Sequence, residues 1–162
     1  MKIRKGFVSN SSSSSFLVVF DEYPIDAKHM QKMLFGTKEK IRLPYVDWED
    51  FNTAEVAEYI YKRFRENSHP SVGQIYDLFH DVAYREISDE LVKEDYKAYA
   101  DLTNFDERVL TLAMQKTIEW IKTHNTQYIS IMRFGDEVSR LEATIEHLPA
   151  FENIKHIRFS EH

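Results

Sequence analysis

At 162 residues, with 43% hydrophobic and 14% aromatic side chains, the chain has the length and composition of one ordinary globular domain, and its 30% charge is well mixed in sign. A formal net charge of −6, with the basic residues dispersed among acids, disfavours broad nucleic-acid binding. Cysteine is absent, which excludes disulfides and thiolate metal sites and fits a reducing cytoplasm, and no window approaches ~18 uninterrupted apolar residues, so no membrane span is expected.

The chain opens with Lys2, Arg4 and Lys5, followed by a polar stretch rather than the apolar run of a secretory signal. That stretch is GFVSNSSSSSF at residues 6–16, in which Ser11, Ser12, Ser13, Ser14 and Ser15 run straight into the apolar segment FLVVF. Serine hydroxyls bond nearby backbone groups and compete with helix and ladder, so the run is expected as turn or coil, pinned by Phe7 and Val8 before it and Phe16 after it. Close to three basic residues, the five serines are candidates for anion binding through backbone amides or for modification. Glycine is missing between Phe7 and Phe35, which sets the loop apart from phosphate-binding loops, and no Gly-x-Ser-x-Gly elbow marks a nucleophilic serine.

Residues 16–20 form an unbroken apolar run ended by Asp21, Glu22 and Pro24, the pattern of a short central strand buried on both faces. Residues 25–35 predict a helix, with Asp26 near its start and Gly36 at its C-terminal cap. Within residues 38–51, IRLPYV fits an edge strand because Pro44 cannot serve a central one. Asn52 with Glu55 forms a capping-box pattern ahead of a helix over 53–66, with Val56, Ile60 and Phe64 on one stripe. A break at His69-Pro70 precedes a helix carrying Val72, Ile75, Tyr76, Phe79, Val82 and Ala83. Ser88 is placed to cap another with Leu91, Val92, Tyr96, Tyr99 and Leu102, and Asn104 with Glu107 opens a last one reaching about Thr123.

The final quarter reads as strand (128–134), helix (137–147) and strand (154–159), which over about 32 residues is the length of a βαβ unit. The expected fold is therefore α/β: a small sheet of three or four strands, at least partly parallel, with a C-terminal βαβ unit. A multi-helix insert over residues 52–124 lies between the first and second main strands, all within one domain, 1–162.

The opening residues 2–19 closely resemble the N-terminus of a scattered group of small, mostly uncharacterised proteins of bacteriophages and some bacteria, and the closing HIRFSEH is similar to the end of some members. The resemblance implies a phage or phage-like origin and an accessory role in the host bacterial cytoplasm. It implies nothing specific about activity.

Three functions follow as expectations. The first is a non-enzymatic protein that binds and redirects a host or phage protein, such as a transcription or replication component. Its contact residues would be Trp48 and Phe51 in an acidic aromatic stretch and Tyr59, Tyr61, Tyr96 and Tyr99 on the inserted helices, tyrosine being enriched at interface hot spots. The second is a hydrolase or nuclease dependent on Mg²⁺ or Mn²⁺. Parallel strands would bring their carboxyl ends together and gather Asp21, Asp136, Glu137 and His162 as hard ligands. The third is a minor virion protein. His156 falls on a polar strand face with Arg158, Ser160 and His162, near Glu146 and His147, and reads as solvated; His29, His69, His80 and His124 read as helix-surface or helix-end residues without partners at ligand spacing.

Overall fold

A computed structural model describes residues 13–42, 50–93, 102–125, 127–135, 141–142, 145 and 150–161. In chain order these hold β1 (Ser13–Phe20), α1 (Ala27–Phe35), β2 (Lys40–Arg42), β3 (Asp50–Asn52), α2 (Thr53–Asn67), α3 (Val72–Lys93), α4 (Leu102–His124), β4 (Tyr128–Gly135) and β5 (Lys155–Glu161). They divide into two units, one of Met1–Ser68 with Tyr128–His162 and the other of His69–Gln127.

In the first unit, β1 is the middle strand of a three-stranded sheet ordered β4-β1-β5. Residues 14–20 carry no charge and are buried on both faces, so neighbours on either side satisfy the backbone without leaving a polar side chain stranded. Both neighbours run antiparallel to β1: Phe20 faces Tyr128 and Ser13 faces Gly135 on one side, while Val19 faces Lys155 and Ser13 faces Glu161 on the other. This corrects the partly parallel sheet and the C-terminal βαβ unit. Although β4 and β5 share a direction, β1 lies between them. The connection at residues 136–154 needs only one more strand spacing of about 4.8 Å to step over it, so the length of the strand-helix-strand segment cannot tell the two arrangements apart.

One face of the sheet carries the core. Phe16, Val18 and Phe20 of β1 and Met132 and Phe134 of β4 cluster with Met30, Leu34 and Phe35 of α1, with Val56, Ala57, Ile60 and Phe64 of α2, and with Ile145, Ala150 and Phe151. Rings meet edge-on or tilted, as at Phe20–Phe64 (5.2 Å) and Phe16–Phe151 (5.1 Å), and each fully buried phenylalanine contributes about 2–3 kcal/mol by leaving water.

The helices over this face start and stop where side chains can satisfy their ends. Asp26 caps α1 by accepting from the His29 amide at 2.6 Å, and Gly36, at φ +60°, ends it with its own N–H on the Lys32 carbonyl at 2.9 Å. Asn52 caps α2 through the Ala54 amide at 2.8 Å. Asn52 also closes β3, which among the described residues pairs with β2 in a separate two-stranded sheet, with Arg42–Asp50 at 3.0 Å across it; of the expected edge strand IRLPYV, Ile41 and Arg42 fall in β2 and residues 43–46 lie outside the described residues.

Among the described residues the second unit is a pair of antiparallel helices, as the contacts Phe79–Trp120, Glu86–Lys116 and Glu90–Arg108 require. Ala83 and Ile87 of α3 pack on Val109 and Ala113 of α4. Helix α3 runs unbroken through Ser88, where the sequence predicts a new start, and α4 begins at Leu102, which puts Asn104 inside its first turn. Apolar residues on both sides of Ser88 stay in phase, so burial along one face overrides the local capping preference.

Candidate functional site

The most developed polar arrangement lies on α2. Tyr59 and Arg63 stand one helical turn apart on the same face, and both reach the carboxylate of Glu142, a residue 1% exposed. Arg63 Nη2 donates to Glu142 Oε1 at 2.5 Å, the Tyr59 hydroxyl donates to the same oxygen, and the Gly135 amide at the end of β4 donates to Oε2 at 3.2 Å. The Arg63 guanidinium also lies 5.4 Å from the centre of the Tyr59 ring. Burial pushes the Glu142 carboxyl up, but hydrogen bonds from Tyr59, Arg63 and the Gly135 amide outweigh it and hold the group below its ordinary value of 4.5. Burial, together with the bond to Glu142, raises the Tyr59 hydroxyl above 10. The Arg63 guanidinium is raised by its bond to Glu142.

Both oxygens of Glu142 accept from protein donors. The carboxylate is thus suited to fastening α2 against the end of β4 rather than to moving a proton to a substrate. Beside this clamp an open groove of about 920 Å³ runs along α2, lined by Ala27, Glu58, Tyr59, Tyr61, Arg65 and Leu141, with Glu55, Lys62 and Glu66 also on its walls. Tyr61 is anchored to the Ile25 carbonyl at 2.7 Å, which fixes its ring between the two helices.

The serine segment is the second polar feature. Ser13, Ser14 and Ser15 are strand residues, not coil, because β1 is paired on both sides and the ladder outcompetes local side-chain bonding. Arg158 lies over the Phe16 ring (5.7 Å) and donates from Nε and Nη2 to Ser14 Oγ at 3.1 and 2.9 Å, while Arg133 on the opposite face reaches Ser13 Oγ at 3.3 Å. With Ser14 at 0% and Ser15 at 4% exposure, these hydroxyls are enclosed in the fold and closed to a modifying enzyme. Ser11 and Ser12 lie outside the described residues.

The proposed metal ligands depended on strand ends that meet. Asp21 follows the end of β1 that pairs with Tyr128, whereas Gly135 and Glu161, the last residues of β4 and β5, pair with Ser13 at the other end. At about 3.4 Å per residue the two ends stand roughly 24 Å apart, so the antiparallel sheet removes that convergence. Asp136, Glu137 and His162 lie outside the described residues, and among the described residues no group of three or more His, Asp or Glu is gathered as a cation would need.

Of the aromatic contact residues, Tyr59 and Tyr61 line the α2 groove, and Phe51 of β3 is half-buried against the core; Trp48, Tyr96 and Tyr99 lie outside the described residues. His29, read as a helix-surface or helix-end residue, contacts Glu22 at 3.1 Å. His124, read as a helix-surface or helix-end residue, closes α4 and is 4% exposed, with its ring stacked on Trp120 at 3.9 Å and Nδ1 2.9 Å from the Trp120 carbonyl.

Sequence reasoning missed Arg63 and Glu142. The signal for Arg63 was a charged residue between Ile60 and Phe64, one turn after Tyr59; Glu142 lies 79 residues further on, and nothing local links the two. Among the described residues no helix is long and apolar enough to cross a membrane. No family model, no curated protein and no solved structure matches this chain.

Proposed function

We propose that this chain is a phage-encoded accessory protein that binds a host protein, such as a component of transcription or replication, and redirects it. The observation that carries the reading is the α2 groove. It is large enough for several side chains of a partner, has Tyr59 and Tyr61 as rigid amphipathic surface, and bears charges of both signs on its rim. Its wall is fastened by Glu142, so little order has to be gained on binding. The shared N-terminal string supports the phage origin, and the occupied oxygens of Glu142 favour binding over chemistry at this place.

The test compares two baits in host extract, the natural chain and Ala27→Arg, which fills the groove from the α1 side. Any enriched protein is then purified and its affinity measured against both baits and against the double variant Glu58→Lys, Arg65→Glu. A partner whose purified form binds the natural chain and loses at least ~10-fold in affinity with either variant supports the groove. No enriched protein, or one bound equally by all three chains, removes the reading.

A further inference from the structure

A second cavity of the first unit shares no lining residue with the α2 groove. It measures about 320 Å³, at the small end of the ~300–1,000 Å³ typical of ligand pockets. Its floor is apolar: Leu34, Phe35 and Ala150 are buried, and Ile41 is half-buried beside them. Lys38, Lys40 and Arg42 form an exposed wall, against which Glu152 is the one carboxylate of the lining.

Three cations within five residues, turned to one apolar hollow, are out of keeping with a chain of net charge −6. They repel one another and concentrate a positive field over the floor. Arg42 is paired across the ladder with Asp50 at 3.0 Å, whereas Lys40 stands opposite the neutral Asn52. Among the described residues no acid comes within ion-pair distance of Lys38 or Lys40.

The wall is mounted on a backbone already fixed in place. The hydroxyl of the buried Thr53 donates to the Lys38 carbonyl at 2.7 Å and its amide to the Glu39 carbonyl at 3.0 Å, while Gln31 donates to the same hydroxyl at 2.8 Å. The carbonyls that end α1 at the pocket are taken up as well. Leu34 accepts from the Asn153 side chain and Phe35 from the Lys38 amide, each at 3.1 Å. What the wall leaves to a ligand is a set of ammonium and guanidinium donors above an apolar floor, held with little ordering still to be done.

We propose that this pocket binds a small phosphomonoester whose body is one flat apolar ring system. A dianionic phosphate serves both unpaired lysines at once, lysine being a phosphate ligand by point charge, whereas a single carboxylate leaves one of them uncompensated. The ring rests on Leu34, Phe35 and Ala150, and the small volume limits the body to about that size. The α2 groove plays no part, so the failure of either reading leaves the other standing.

Calorimetric titration of the full chain at low salt tests this with phenyl phosphate, uridine monophosphate, ribose 5-phosphate, uridine and inorganic phosphate. Phenyl phosphate and uridine monophosphate are expected to bind at submillimolar concentration, at least ~10-fold more tightly than inorganic phosphate or uridine. Ribose 5-phosphate, which has no apolar ring, is expected to match inorganic phosphate. The double variant Lys38→Gln, Lys40→Gln should lose at least ~10-fold in affinity for the ring-bearing esters, and Lys38→Arg, Lys40→Arg should keep most of it by keeping the charge. Both lysines are exposed, and urea unfolding checks that each variant folds. The proposal is overturned if no probe binds below ~10 mM, or if the ring-bearing esters bind no more tightly than inorganic phosphate. Equal affinity in the glutamine variant also overturns it, and would leave the lysines as partners of the α1 C-terminus alone.

Discussion

Replacing Glu142 by glutamine tests the clamp that shapes the α2 groove. Glutamine keeps the volume, so no cavity opens, but it loses the charge and turns an NH₂ group toward one of three donors that now meet oxygen. A hydrogen bond to a charged partner contributes about 1.5–3 kcal/mol. The Arg63 side chain is 32% exposed and can recover part of its hydration, which favours the lower half of that range, while the misplaced NH₂ adds about 1 kcal/mol. The expected loss is about 2–3 kcal/mol, or roughly 5–10 °C in Tm for a chain of this size. It is read by urea unfolding with an unchanged m-value, and amide exchange locates the loss in α2 and β4. Arg63→Met should cost about as much or more, because it leaves Glu142 buried without its counter-ion, and the double variant should cost less than the two changes together. A Glu142→Gln chain within ~0.5 kcal/mol of the natural one, or a strictly additive cycle, would refute the clamp.

The pH dependence follows from the same groups. The carboxyl of Glu142 is held below 4.5, so the folded chain binds fewer protons there than the unfolded chain does. Its contribution is complete above about pH 4.5 and is lost as the pH falls through the depressed value. The hydroxyl of Tyr59 is raised above 10, so its contribution is complete below pH 10 and fades as the pH rises further. Stability measured against pH should therefore lose its acid limb in part in the Glu142→Gln chain, and an identical acid limb in both chains would contradict the assignment.

Two further changes probe the backbone and the serine segment. Gly36→Ala should cost about 1–2 kcal/mol in urea unfolding purely from the positive φ, since an added Cβ meets nothing within 4 Å; a neutral result would mean that α1 ends differently. Ser14→Ala should cost about 1 kcal/mol through the lost Arg158 bonds, whereas Ser13→Ala, half-buried and with a longer bond to Arg133, should cost less than ~0.5 kcal/mol; equal effects would show that the arginine geometry does not matter.

The polar clamp could not have been found from the sequence. Tyr59 was visible as an aromatic residue on a helix and Arg63 as its neighbour one turn on, but Glu142 belongs to a segment whose own pattern singles out Leu141, Ile145 and Leu148 as its apolar positions. A bond between groups 79 residues apart leaves no trace in local periodicity. The same limit explains the serines. Their hydroxyls favour turns in isolation, and only two paired neighbours make residues 13–15 a strand.

By itself the sequence determined which segments could bury a face. The charge-free run after the serines marks a strand enclosed on both sides, Asp26, Gly36 and Asn52 mark helix ends, and spacing four on α2 marks the stripe that meets the sheet, because burial and capping act over a few residues. Tertiary structure alone decided that β1 separates β4 from β5 and runs opposite to both. Strand direction is set by which backbone groups find partners across space, and equal stretches of apolar sequence satisfy either choice. That decision places Asp21 at one end of the sheet and Gly135 and Glu161 at the other, and with them it places whatever chemistry each end can support.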